Sequence, residues 1–206
     1  MTTHSKMINC PQCGNSLPLK FQYTKITVCS YCESTLFLAD DAVKFAGKQS
    51  VLSTLPSLMQ MHEQFRYKQT SFMPVGKIRY AHDIGYWEEW WVIDNTGKGF
   101  WVSIDEGDFA FENPITLDKA APSFADVRLG ASYTFFNTQW QVTEINTGIC
   151  EGFVGELPEL IKTSEKIPFI HLSGTNRELM TLEYVFDTVR AFKGKWVDPF
   201  EIKRQS

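Results

Sequence analysis

Apolar and polar residues alternate with a period of two through much of this chain. Leu17, Leu19, Phe21 and Tyr23 occupy every second position and Ile26 and Val28 continue the rhythm, which is the mark of half-buried strands. A third short strand fits Thr35-Leu-Phe-Leu38. Beyond Gln64 the apolar runs are short, aromatic and β-branched, and Asn95-Thr-Gly-Lys-Gly99 and Asp105-Glu-Gly-Asp108 read as hairpin turns between them. The predicted fold class is mainly β, a small ribbon of strands followed by an antiparallel β-barrel or sandwich. One run departs from this rhythm: Leu182, Val185, Phe186, Val189 and Phe192 fall near helical spacing. A helix and an irregular strand pair both fit it, because Gly194 closes the run and Trp196-Val197 resumes an extended pattern.

The aromatic positions also repeat. Gln64-Phe-Arg-Tyr-Lys-Gln-Thr-Ser-Phe72 aligns without gaps on Ser132-Tyr-Thr-Phe-Phe-Asn-Thr-Gln-Trp140, so that Phe65 meets Tyr133, Tyr67 meets Phe135, Thr70 meets Thr138 and Phe72 meets Trp140. Phe100-Trp-Val-Ser-Ile104 and Phe169-Ile-His-Leu-Ser173 follow at nearly the same offset. A duplicated unit predicts architecture better than local propensity does. The expected organisation is a zinc ribbon over 1–40, a linker over 41–57 with at most a turn of helix, and a duplicated β-domain over 58–203, its copies at about 58–122 and 123–203.

Candidate chemistry enters with Cys10-Pro-Gln-Cys13 and Cys29-Ser-Tyr-Cys32, fifteen residues apart. Two C-x-x-C pairs at that spacing can bring four thiolates to one tetrahedral ion, and zinc is the expected cofactor. A ribbon this small cannot bury enough apolar surface to stand alone, so the metal would take over the role of a core. Four thiolates leave no open coordination position, which argues against a catalytic zinc. A redox dithiol would need a thioredoxin-like βαβ context that this pattern lacks. Gly14 after the first pair permits the positive φ such turns use, whereas Glu33 and Ser34 after the second predict a turn that is strained or differently shaped. Cys150 stands apart and reads as a buried, inert thiol.

Composition narrows the partners. The 206 residues, 43% of them hydrophobic, suffice for a sizeable core, and the net charge of −4 argues against a nucleic-acid partner, which needs a basic face. The first residues carry no apolar signal segment, and the run Trp90-Trp-Val-Ile93 is far short of the roughly 18 residues a membrane helix requires, so no transmembrane segment is expected. The expected location is the cytoplasm, where paired cysteines read as metal ligands instead of disulfides.

Glu88, Glu89, Glu144 and Glu156 lie among Trp87, Trp90, Trp91 and Trp140. Carboxylates beside indole faces suit an organic polycation, held by ion pairing and cation–π attraction. The competing reading packs the aromatics into the core and leaves the glutamates to solvent or to turns, and the sequence Trp87-Glu-Glu-Trp-Trp91 leaves both open. Trp87, Glu88, Glu89, Glu144 and Glu156 are the candidate ligand-binding residues. No phosphate loop, nucleophile elbow or H-E-x-x-H is present, so no catalytic residue is expected. His4, His62, His82 and His171 are scattered, and His171, in a strand, reads as a packed histidine.

Several phrases carry a family resemblance: Val75-Gly76-Lys-Ile-Arg-Tyr80, Trp87-Glu-Glu-Trp-Trp91, Phe100-Trp101, Trp140-Gln-Val-Thr-Glu144 and Gly155-Glu-Leu-Pro158. Over about residues 58–203 the chain resembles the bacterial domain-of-unknown-function family four-one-seven-eight, often found behind an N-terminal zinc ribbon. The Gly-rich opening usual in that family is replaced by Met59-Gln-Met-His62. The resemblance implies a cytosolic β-rich accessory protein, with relatives encoded near phage-shock-type membrane-stress proteins and enzymes like those of polyamine synthesis, and it implies no catalytic residue. The function expected is that of a non-enzymatic, zinc-binding accessory or scaffold protein that engages a protein partner in a bacterial membrane-stress system. The alternative is a small-ligand module that binds a polyamine or similar organic cation through the Glu/Trp cluster.

Overall fold

A computed structural model describes residues 6–39, 42–48, 52, 55–83 and 85–205. Among these are sixteen β-strands and no α-helix, and so no helix long and apolar enough to cross a membrane. Strands β1 (Lys6–Asn9) and β2 (Ser16–Leu19) flank the first cysteine pair, and β3 (Ile26–Val28) and β4 (Ser34–Ala39) flank the second. The segment expected as a linker contains a further strand, β5 (Ala42–Lys48), which pairs with β4. It is held there because Val43, opposite Leu38, packs onto the ribbon core of Ile8, Leu17, Leu19 and Leu36. Positions 41, 49–51 and 53–54 of that segment lie outside the described residues.

Two successions of five strands follow. The first is β6 (Gln64–Tyr67), β7 (Thr70–His82), β8 (Gly85–Asp94), β9 (Gly99–Asp105) and β10 (Asp108–Ile115). The second is β11 (Ser132–Phe135), β12 (Thr138–Leu157), β13 (Lys166–Ser173), β14 (Glu178–Val185) and β15 (Thr188–Val197). Each opens with a short strand hairpinned onto a long one, Phe65 opposite Phe72 in the first and Tyr133 opposite Trp140 in the second. A last strand, β16 (Ile202–Gln205), pairs with β6.

Eight of these strands close into a barrel in the order β7, β8, β9, β10, β15, β14, β13, β12, every neighbour antiparallel, with β12 pairing back onto β7. Closure leaves these strands no open edge. The turn between β9 and β10 has two residues, Glu106 and Gly107, at φ 49° and 97°, the left-handed pair whose twist matches the flanking strands. The run from Leu182 to Phe192 is the β14–β15 hairpin, with Phe186 at φ 51° in its turn. Its near-helical spacing arises because both faces of these strands are buried: Leu182 sits in an outer core and Phe192 in the barrel's interior.

Three apolar cores result. One fills part of the lumen with Ile78, Tyr80, Trp91, Trp101, Phe153 and Ile167. A second includes Phe65, Phe72, Trp90, Val92 and Phe109, and a third includes Trp140, Val142, Ile170, Leu172 and Leu182. Successive side chains of a strand point to opposite faces, so the lumen and these outer cores share the same strands. The ribbon joins the lumen core directly. Ile26 and Thr27 pair with Leu157 and Glu156 at the end of β12, and Phe21 and Ile26 pack with the lumen residues. Just before that pairing, Gly155, at φ 74°, permits the close approach of β12 to β7, because a Cβ there would lie 2.2 Å from the Val75 carbonyl oxygen.

Candidate functional site

The sulfurs of Cys10, Cys13, Cys29 and Cys32 lie within 4.8 Å of one another, with Cys10–Cys32 at 3.7 Å and Cys13–Cys29 at 3.8 Å. A tetrahedral thiolate centre with metal–sulfur bonds of about 2.3 Å has edges of about 3.8 Å, so this donor set fits an ion as it stands. All five cysteines are free. The two cysteine turns share one build: Gly14 N–H donates to the Cys10 carbonyl at 2.8 Å and Glu33 N–H to the Cys29 carbonyl at 2.9 Å. Gly14 has φ 77° and Glu33 φ 60°. Glu33 therefore takes the conformation a glycine would adopt freely, which is the strained of the two outcomes expected. Hydrogen bonds from Asn15 hold the Cys13 thiol below its usual range, and those from Ser34 bring Cys32 down to about 6. Burial pushes Cys29 up to about 11. Cys150 is buried, and that burial pushes its thiol up to about 12, consistent with an inert group.

The second site is the barrel's lumen. Each of the eight barrel strands contributes at least one side chain to a cavity of about 40 Å³, space for about three waters. Five carboxyl groups line it, Glu89, Asp105, Glu112, Glu144 and Glu183, between the rings of Trp87, Trp101, Phe169, Phe192 and Trp196. His82 and His171 are the basic side chains of the lining. Trp87 stacks on Tyr80 with ring centroids 5.0 Å apart, and its indole lies against bare backbone, since a Cβ on Gly148 would come within 2.2 Å of the ring.

The carboxyls are held by few donors. Trp87 Nε1 donates to Glu89 at 3.1 Å, and the Thr181 hydroxyl donates to Glu112 at 2.7 Å. His171 Nδ1 lies 2.8 Å from Glu144, which also accepts from Asn146 at 3.3 Å. Arg190 places Nη2 2.6 Å from Glu183 and ion-pairs with Glu159 through Nη1. The Oδ1 atom of Asp105 is buried without a hydrogen-bond partner.

Burial pushes Glu89 well above the carboxylate range, and the Glu183 charge adds to the effect. Burial likewise raises Glu183 to about 7 despite Arg190, and raises Glu112, Asp105 and Glu159. Glu144 is the exception, held low by the hydrogen bond from His171. Burial thus favours the neutral form of these acids, and a positive charge placed among them would favour the ionised form.

The sequence profile of the domain of unknown function DUF4178 matches residues 63–199. The chain belongs to this family. Neither the curated proteins nor the solved structures contain a significant match. The DUF4178 match begins one residue before β6 and ends just past β15, so it contains the whole barrel and every lumen carboxyl, while the four cysteines lie outside it.

Within the DUF4178 barrel the structure brings together Trp87, Glu89 and Glu144, and places Glu88 and Glu156 elsewhere. Glu88 neighbours Glu89 on one strand and so points to the opposite face. There it accepts from Ser57 at 2.7 Å, Lys77 at 2.9 Å, Arg79 at 3.1 Å and Trp90 at 3.2 Å. Burial would raise its pKa, but the bonds from Ser57 and Lys77 outweigh it and hold Glu88 below the usual range. Glu156 serves the ribbon, accepting from the backbone of Lys20 at 2.8 Å and Phe21 at 2.9 Å and from the Thr24 hydroxyl at 2.9 Å. Asp105, Glu112 and Glu183 went unrecognised in the sequence. Leu179, Thr181 and Glu183 share a strand parity that faces the lumen, but Met180 and Leu182 between them are also buried, which hides the alternation.

Proposed function

We propose that this is a non-enzymatic, zinc-stabilised binding protein of the cytoplasm whose barrel lumen takes an ammonium group of a slender organic cation, a polyamine or a close chemical relative. The observation that carries the reading is the lumen's composition: five carboxyls among three tryptophans, with two histidines and the Arg190 clamp as the nearby bases. An ammonium entering this space gains ion pairing and cation–π attraction, the latter worth about 2 kcal/mol where water is excluded. The narrow cavity favours an unbranched alkylammonium over a bulky cation. For the ribbon, four thiolates with tetrahedral edges suit zinc in a closed, structural role.

Thermal-shift titration with spermidine tests the lumen. At about one hundred times its Kd, binding adds about 2.7 kcal/mol, a rise of about 5–10 °C for a chain of this size. Glu89→Gln should abolish the shift, whereas Glu156→Gln should melt lower yet keep it. No shift in the parent protein with spermidine, putrescine or cadaverine removes the reading.

A protein partner is the second reading, the accessory role in a membrane-stress system. It is favoured by Tyr23 and Tyr31, which stand 66% and 65% exposed on the ribbon. A partner retained by the parent protein and lost on Tyr23→Ser with Tyr31→Ser would support it, and a parent that retains none would remove it.

A further inference from the structure

The ribbon caps one end of the lumen core with Phe21 and Ile26, which do not themselves line the cavity. Phe21 is 5% exposed, with its ring 5.3 Å from that of Trp91; Trp91 lies 4.9 Å from Trp101, and Trp101 lines the cavity. Ile26, fully buried beside Phe21 in the same core, is three residues from Cys29. We propose that Phe21 is a metal-held stopper, so that metal occupancy of the four-cysteine centre governs whether the barrel's lumen is closed at this end. The proposal rests on the metal reading of those cysteines.

Three features make the stopper depend on the metal. The strands that hold it are short: β3 has three residues and β2 four, too few to keep their shape alone. The ribbon's own core includes two of the cysteines, Cys10 and Cys29, so loss of the ion loosens the packing itself. The seam between ribbon and barrel is also not close-packed. A cleft of about 570 Å³ opens there between Leu17, Leu19 and Val28 on one side and Val75 and Phe153 on the other. The stopper is tied to the barrel by the two-residue pairing of β3 with the end of β12, by Glu156, which grips the Phe21 loop, and by the bond from Lys25 N–H to the Leu157 carbonyl at 2.9 Å. Once the ribbon loses its shape, those few bonds must hold Phe21 against solvent unaided.

The test is hydrogen exchange on the whole 206-residue chain, as purified, after chelation, and as Phe21→Ala with metal retained, each with elemental analysis. Chelation should raise exchange at least about tenfold around Trp91 and Trp101 and leave Glu144 to Asn146 and Phe169 to His171 protected. Phe21→Ala should reproduce the rise at Trp91 while Ile26 to Leu38 stay protected. Free exchange of the ribbon with no change at Trp91 and Trp101 overturns the proposal, as does a Phe21→Ala protein that exchanges like its parent. Should chelation melt the whole barrel, the metal-loaded Phe21→Ala comparison decides alone. Purified protein without bound metal overturns the metal reading, and this outcome is distinct from a metal-loaded protein whose lumen core ignores Phe21.

Discussion

Replacing Glu156 by glutamine isolates the bond network that joins ribbon to barrel. The carboxyl is 5% exposed and accepts three hydrogen bonds, from Lys20 N–H, Phe21 N–H and the Thr24 hydroxyl. Glutamine keeps the shape but turns one acceptor into an NH₂ donor, which then faces a donor at close range in a buried setting. Lys20 N–H lies 2.8 Å from Oε1 and 3.0 Å from Oε2, while Phe21 and Thr24 both use Oε2, so an amide oxygen at the Oε2 position leaves the NH₂ facing the Lys20 N–H, and the reverse orientation sets the NH₂ against Phe21 and Thr24. An unsatisfied buried donor costs about 1–3 kcal/mol, and the weakened neighbours bring the expected loss to about 2 kcal/mol. For a chain of this length that lowers the melting temperature by about 4–8 °C. Thr24→Val removes one donor and its desolvation cost together, and should fall by no more than about 1 kcal/mol. Differential scanning calorimetry of parent and both variants, metal-loaded, reads the difference. A Glu156→Gln protein melting within about 1 °C of its parent would refute the claim that this carboxyl anchors the ribbon.

The lumen carboxyls that burial raises, Glu89, Asp105, Glu112 and Glu183, make stability fall as pH rises. Glu183, held near 7 by burial against an ordinary value of 4.5, favours the folded state fully below about pH 4.5 and loses that contribution as pH passes through 7. The span corresponds to about 3 kcal/mol at most, and Glu183→Gln should flatten the melting temperature between pH 5 and 8 by comparison with the parent. Because a bound cation favours the ionised acids, the spermidine shift should grow from pH 6 to pH 8, and a shift that shrinks would contradict the linkage. Elemental analysis should find one zinc per chain, and Cys13→Ser should lower the metal's affinity and release hydrogen-exchange protection across β1 to β4. Glu33→Gly relieves a left-handed residue at φ 60° and should raise ribbon stability by about 1 kcal/mol, read as slower metal loss to a chelator.

What the linear chain determined by itself is what short-range chemistry carries. The two C-x-x-C pairs set their own turns and brought the sulfurs together, and the turn residues at Asn95 to Gly99 and Glu106-Gly107 placed their hairpins, because backbone preference and ligand spacing act over a few residues. The strands themselves were legible wherever one face meets water, as in β2. Tertiary structure decided which carboxyls share a site. Glu88 and Glu89 differ only in strand parity, and parity selects a face only once the register with β7 and β9 is set. Glu89, Glu112 and Glu183 come from strands far apart in sequence, and only the closing pairs β10–β15 and β12–β7 turn their faces toward one another. Burial on both faces erased the alternation that would have pointed to Glu183, and the ribbon's docking at one end of the lumen core follows from Phe21 finding Trp91, a contact across seventy residues of chain. Such contacts depend on how the whole barrel closes, and no local stretch of sequence contains that information.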